Sequence, residues 1–405
     1  MLPAVHRAAG RLILRRALCS TASDREQRLL AANAVADKLL SQGQLAKGVE
    51  VLGGVLDELQ VFRGDRHPDT ISVAGHLAQQ MIRLDDGGSD EVNSSSSSKV
   101  AESLAREAYE NARLLWGDSH PDVLLAASTV GQVLAHRGQH QKAEPYMRLC
   151  CEAAEERSAA QGDAPGGMVR QELLVASSNL AQVLMLQGRP RDALPHAQTA
   201  LRESTALLGT HHSDTLDELR AVGQCLDETG KARAAEEVMR LSLERHREVH
   251  GYEHPRTLHA LSSLARLLGG AEAVPATDQR GLEAVWDEAE SLMEEDVRAS
   301  MRVYGPAHAD TLAALSNLAM LLFKRGRHRE CMVRAREARR LAHRLPGPAH
   351  EHGALLDSLI ANSREELQHA EAEARAAKEA AYQSSLLLLA SWPSPGASWV
   401  QPHAR

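Results

Sequence analysis

One short phrase recurs along this chain and restricts what it can fold into. It reads Gly64-Asp-Arg-His67-Pro68-Asp69-Thr70, and returns as Gly117-Asp-Ser-His120-Pro121-Asp122, as Gly251-Tyr-Glu-His254-Pro255-Arg256-Thr257 and as Gly305-Pro-Ala-His308-Ala-Asp310-Thr311. A weaker copy is Gly209-Thr-His-His212-Ser-Asp214-Thr215, and Gly347-Pro-Ala-His350 is a remnant. A second anchor, Ser-Asn-Leu-Ala, stands at 178–181 and 316–319. In the full copies the residue eleven after the His falls at this anchor's Ala, so 170 is the start of a degenerate copy. The starts 67, 120, 170, 212, 254, 308 and 350 are then separated by 53, 50, 42, 42, 54 and 42 residues. The period is 42, with insertions of 11, 8 and 12 residues in three repeats. A fixed period of this size is the signature of stacked supersecondary units.

The phrase predicts the end of one helix and the start of the next. Gly suits a left-handed residue after a helix C-terminus. Pro is tolerated at the first helical position, where its missing N–H would be unpaired anyway. Asp69, Asp122, Asp214 and Asp310 fall in the first turn, where negative charge complements the helix dipole. Eighteen residues after the start a second Gly (138, 188, 230 and 326) separates helix A from helix B. Leu315, Leu318, Ala319 and Leu322 form the apolar stripe of an amphipathic helix. In helix B a small residue lies sixteen before the closing Gly: Gly48, Ala101, Ala193, Ala235, Ala289 and Cys331. Such residues let two helices approach closely.

The expected fold is all-α: antiparallel helix pairs that cannot bury their stripes alone, stacked into a right-handed superhelical solenoid over 24–345. Aromatic residues make up only 3 % of the chain, which suits packing on Leu, Ala and Val. Residues 25–62 supply a first pair, broken at Gly43. The insertions, near 85–98, 158–167 and 269–281, contain Gly87-Gly88 with the run Ser94–Ser98, Pro165-Gly166-Gly167, and Pro275, and read as inserted loops. Residues 346–382, rich in Ala, Glu and Arg, read as a capping helix, and 383–405 as a flexible tail.

The pattern resembles the tetratricopeptide repeat of kinesin light chain type. The residues that carry the likeness are His254-Pro255 with Thr257, Asn179-Leu180-Ala181, Asn317-Leu318-Ala319, Ala143-Glu144-Pro145, and the Ala-Glu pairs at 101, 235 and 289. The resemblance covers roughly 25–345 and implies a non-catalytic scaffold for protein partners. It also implies that helix A lines a concave groove. A kinesin light chain would carry a heptad coiled coil ahead of its repeats, whereas about two dozen residues precede the first pair here. The layout is also similar to that of mitochondrial tetratricopeptide repeat proteins, a class with an inner-membrane member associated with respiratory complex III.

Those first residues, 1–23, contain Arg7, Arg11, Arg15 and Arg16 and no acid. A helix would place three of the arginines on one face. Basic, amphipathic and acid-free is the signature of an organelle presequence, most often mitochondrial, with a plastid signal as the smaller rival. A cytoplasmic location is the alternative. The net charge of −8 argues against a dedicated nucleic-acid binder. No apolar run reaches the length of a membrane span.

Chemistry-bearing motifs are absent. Five cysteines show no disulfide or metal-ligand spacing, which suits a reducing compartment. Adjacent Cys150 and Cys151 read as buried and inert. Six repeat starts are His, a boundary position. His246 and His250 are one turn apart, but His254 lies past the break at Gly251. No metal, cofactor or catalytic constellation is expected.

A groove can still be placed. With Asn317 facing inward, Lys324 shares its face. The same register gives His76, Gln79 and Arg83, then Thr129 and Gln132, then Asn179 and Gln182, then Gln224, then Ser263 and Arg266. Asn and Gln amides donate and accept, and so can hold an extended peptide backbone. The segment 324–344 carries nine Lys/Arg against Glu330 and Glu337, which suits a solvated outer helix or a docking patch for an acidic partner or anionic lipid.

Overall fold

The computed structural model describes residues 22–87, 91–161, 167–270, 279–342 and 350–390. Nearly all of the predicted presequence, and residues 391–405 of the predicted tail, lie outside them. The described residues form fifteen helices and no strand. They run α1 Ala22–Ser41, α2 Leu45–Arg63, α3 Pro68–Gly87, α4 Glu91–Trp116, α5 Pro121–His136, α6 His140–Gln161, α7 Gly167–Leu186 and α8 Pro190–Leu208. They continue with α9 Ser213–Glu228, α10 Ala232–His250, α11 Pro255–Gly270, α12 Gln279–Val303, α13 Ala309–Lys324, α14 His328–Ala342 and α15 His350–Ala390. The chain divides into two compact units, 1–285 and 286–405. In the first, α1/α2, α3/α4, α5/α6, α7/α8 and α9/α10 pack as pairs and α11 follows. In the second, α13 pairs with α14, and α15 packs on both.

Two kinds of glycine turn produce this pattern. After helix A, Gly188 has φ 69°. Its N–H donates to Met185 and the next N–H, that of Arg189, donates to Leu184, at 2.9 Å each. These are the paired bonds of a Schellman motif, which satisfies the last carbonyls of the helix. The same bonds recur at Gly43, Gly138, Gly230 and Gly326. The glycine that opens each phrase differs from expectation. Gly251 has φ 82° but ψ 176°, so it stays at positive φ yet lies outside the left-handed helical region. That region is closed to residues with a Cβ, so the demand for glycine is stricter there.

The phrase then closes on itself. Nδ1 of His67, His120, His212, His254 and His308 accepts the backbone N–H two residues on, at 3.2 Å each. Histidine thus does the work usually given to Ser or Asp at a helix N-cap. Thr257 Oγ1 donates to the carbonyl of Gly251, and Thr311 to that of Gly305, both at 2.8 Å. The capping rings of His120, His254 and His308 stack on Trp116, His250 and Tyr304, with centroids 5.0, 4.4 and 4.5 Å apart. His254 therefore does meet His250 across the Gly251 break.

The cores are aliphatic. Leu134, Leu184, Leu216, Leu258 and Leu261 are fully buried in the first unit, and Leu312 and Leu315 in the second. Burying one such side chain contributes about 1.5–3 kcal/mol. The small residues predicted for helix B are buried at all six positions. A Cβ on Gly48 would lie 2.5 Å from Leu40, which shows how close α1 and α2 come.

Two segment expectations need correction. Residues 91–98, with the whole Ser run, are the first turns of α4. That helix has 26 residues and α3 has 20, so the insertion largely lengthens two helices instead of forming a loop. At the C-terminus α15 continues to Ala390, past the expected end at 382. Its second half is Ala- and Glu-rich and has no Gly or Pro to stop it.

Candidate functional site

The helix-A faces of the first unit form one surface because neighbouring A helices touch. Asp37 on α1 lies 4.0 Å from His76 Nδ1 on α3. Gln79 Nε2 donates to Gln132 Oε1 of α5 at 3.2 Å. Helices α5 and α7 are in contact. Ser178 of α7 donates to Glu218 of α9 at 2.7 Å. Gln224 of α9 donates to Ser263 of α11 at 3.3 Å, and Arg266 pairs with Asp227 at 3.1 Å. Polar side chains thus run from helix to helix along the row.

The predicted residues divide by accessibility. Gln79, Arg83, Gln182 and Arg266 are exposed, while His76, Gln132, Asn179 and Gln224 are half-buried. Asn179 Nδ2 is buried and has no hydrogen-bond partner among the described residues. Thr129 and Ser263 depart from expectation: both are buried, and their hydroxyls donate to Leu125 and His259 carbonyls one turn back. Each sits at the edge of its helix stripe, where a short hydroxyl reaches its own backbone before it reaches solvent. In the second unit Asn317 is half-buried and Lys324 exposed, on the same face of α13.

The sequence reading passed over apolar residues on this face. Leu125, Val175 and Leu186 are 68, 47 and 54 % exposed. They sit four before Thr129, four before Asn179 and seven after Asn179, in the register already used. Their periodicity is that of the amides beside them, which makes the face mixed rather than wholly polar. Glu218, bonded by Ser178, has its carboxyl pushed up, chiefly by burial.

Four arginines of the basic segment are engaged within the second unit. Arg325 pairs with Asp287 and Glu290, Arg327 with Glu290 and Glu330, Arg334 with Glu337, and Arg339 with Asp357. Three of the Ala-Glu pairs of helix B are engaged in a similar way. Glu102 meets Arg137, Glu144 meets Arg189, and Glu290 meets Arg325 and Arg327. Each of these arginines flanks the glycine turn of the following repeat.

Four cysteines are described, all free and buried. Burial pushes the Cys150 thiol up to about 12 and that of Cys225 to about 11, which keeps both protonated and poorly nucleophilic. No helix among the described residues is long and apolar enough to cross a membrane.

Comparison with known proteins agrees with this architecture. Residues 172–245 and 311–352 each match a tetratricopeptide repeat family model. No curated protein sequence matches the chain. Among solved structures, the kinesin light chain TPR-like repeats of Podosopora anserina are 16 % identical, with 55 % of this chain and 97 % of that one covered and a TM-score of 0.43. BtubC from P. vanneervenii is also 16 % identical, with 66 % and 98 % covered and a TM-score of 0.44. A signal transduction ATPase with a tetratricopeptide repeat sensor, from Pyrococcus horikoshii, is 14 % identical, with 84 % and 44 % covered and a TM-score of 0.48. Two segments of the chain thus match tetratricopeptide repeats, and the described residues show the antiparallel helix pairing of such repeats.

Proposed function

We propose that the helix-A face of the first unit binds an extended segment of a partner protein, and that the chain acts as a non-catalytic adaptor in mitochondrial assembly or quality control. The observation that carries the binding reading is the helix-to-helix row of side chains from His76 to Arg266, with Leu125, Val175 and Leu186 exposed beside its amides. Amides supply sequence-tolerant backbone hydrogen bonds, and the three apolar side chains supply buried area on binding. The organelle assignment rests on residues 1–23 alone. Because four of its arginines are engaged inside the fold, the 324–344 segment is a weaker candidate for an acidic partner or anionic lipid.

Selection of peptides from a random displayed library against the full chain tests the binding face. Selected peptides should lose at least tenfold in affinity when Leu186→Asp is combined with Gln182→Ala, with the thermal midpoint little changed. Equal binding to that variant, together with loss in Arg233→Glu on the helix-B side, would move the site elsewhere. Imaging of the full chain beside one lacking residues 1–23 tests location. Organelle signal only from the full chain supports the mitochondrial reading. Cytosolic signal from both favours a cargo adaptor of kinesin light chain type.

A further inference from the structure

The sequence gives no metal-ligand spacing, yet the fold brings three different donors together on the helix-B side of the first unit. Cys151 and Glu155 lie one turn apart on α6 and so share a face. Helix α8 of the next pair brings His196, 45 residues away in sequence, to the same point. Cys151 Sγ is 3.5 Å from Glu155 Oε1 and 3.7 Å from His196 Nδ1. All three donor atoms lie within 4.8 Å of one another.

These spacings have a chemical meaning. A tetrahedral zinc ion with bonds of about 2.3 Å to sulfur and about 2.0–2.2 Å to nitrogen and oxygen holds its sulfur about 3.5 Å from its other ligands. The two sulfur distances here match that value. The donor set is also selective, because thiolate and imidazole favour zinc-type cations over magnesium or calcium. Cys151 is buried, His196 half-buried and Glu155 exposed, so the cluster has a closed floor and an open outer side. Ser177 Oγ, 3.8 Å from Cys151 Sγ, lies beside the floor. Arg148, Glu152 and Asp192 are the nearby charges.

We propose that Cys151, Glu155 and His196 form a three-ligand site for one zinc-type divalent cation, with a fourth position open to water or to a partner's side chain. On binding, the Cys151 S–H bond breaks, its proton leaves to solvent and a sulfur–metal bond forms. Glu155 donates through its carboxylate and His196 through the Nδ1 lone pair. The bound ion ties α6 to α8, and hence one helix pair to the next, so binding stabilises the fold by mass action.

The test uses the full chain without a polyhistidine tag, stripped with chelator and titrated with Zn²⁺ and, separately, with Co²⁺. One equivalent should bind. Co²⁺ should give the thiolate-to-metal band and the ligand-field bands of a tetrahedral site. Cys151→Ser should abolish the thiolate band and weaken Zn²⁺ binding more than about 100-fold, beyond what an outer-shell partner commands. Glu155→Gln and His196→Gln should each weaken it as well, while Cys150→Ser and Cys225→Ser should leave it in place. The absence of a thiolate–cobalt band in the native chain, or its survival in Cys151→Ser, overturns the site. Glu155 is exposed and His196 half-buried, so these two variants decide the matter even if Cys151→Ser does not fold. Unaltered Zn²⁺ affinity in both would place the metal on other histidines and sink the proposal.

Discussion

Gly223 and Met239 show how finely the helix pairs are fitted. Gly223 stands eleven residues after His212, and a Cβ there would come within 2.8 Å of Met239 Cγ. Gly131 and Met147 repeat the arrangement, again with a 2.8 Å approach. In other repeats the same two positions hold Ala78 with Ala105, Ala181 with Ala197, and Ala319 with Ala335, all buried. In two repeats a glycine thus faces a methionine, while in three others alanine stands at both positions. Gly223→Ala should therefore destabilise by about 1–3 kcal/mol through overpacking. Met239→Ala should cost about 2–5 kcal/mol through the cavity it leaves. The double variant should lie close to the native chain, because it recreates the alanine pair. Urea unfolding of the four proteins measures this coupling, and strict additivity would contradict it. The register of these positions was legible in the sequence through the Ala eleven residues after each His. The methionine partner was not, because it lies on another helix and no local period links the two. The capping role of His was hidden for a related reason: the pattern marks a boundary, while the Nδ1 bond depends on a ring orientation that no residue spacing specifies.

At the scale of elements, α9 and α10 carry a buried base that makes their packing sensitive to acid. His246 is fully buried, with Nε2 4.0 Å from Asp217 Oδ1. Burial pushes it down to about 4, partly opposed by the charge of Asp217. The folded chain therefore refuses a proton that the unfolded chain takes up below its ordinary value of about 6.5. Stability should be full above that value and fall as pH drops toward 4, with a ceiling of about 3 kcal/mol. Glu144 adds a lower window. Hydrogen bonds from Arg148, Gln187 and Arg189 hold its carboxyl below the usual range, so its contribution is lost as pH falls through the depressed value. Urea midpoints should drop between pH 7.5 and pH 5, and His246→Leu should flatten that slope. An unchanged slope in the variant would exclude His246 as its source. Helix count and pairing were legible, because Gly-x-x-His-Pro and the second Gly mark both ends of most helices. Where an insertion has no Pro to stop a helix, as at 91–98, the Ser run is carried into α4, and composition misread it as a loop.

For the whole molecule the open question is how the stacking ends. A repeat array leaves one apolar face uncovered at each terminus, and the last element must close it. In the second unit that element is the first part of α15. Leu356 and Leu359 are buried, Ser363 donates to Cys331 Sγ at 3.3 Å, and Arg339 pairs with Asp357 at 2.8 Å. Beyond Leu367 every described side chain of α15 is exposed, so closure is confined to about its first five turns. The alternation of Leu and charge after His350 made the cap legible. Its length was not, because an Ala- and Glu-rich stretch reads as helix whether or not it packs. Deleting residues 346–405 should expose the apolar face of α13 and α14, while α5 to α9 keep their own neighbours. Amide hydrogen exchange then separates two outcomes. Protection should fall by orders of magnitude in α13 and α14 and stay constant in α5 to α9, because nearest-neighbour stacking confines the loss. The pair Leu356→Ala and Leu359→Ala, each worth about 2–5 kcal/mol, should give the same pattern without truncation. Uniform loss across both units would mean that the chain unfolds as one cooperative body, and unchanged exchange in α13 and α14 would mean that α15 is not the cap.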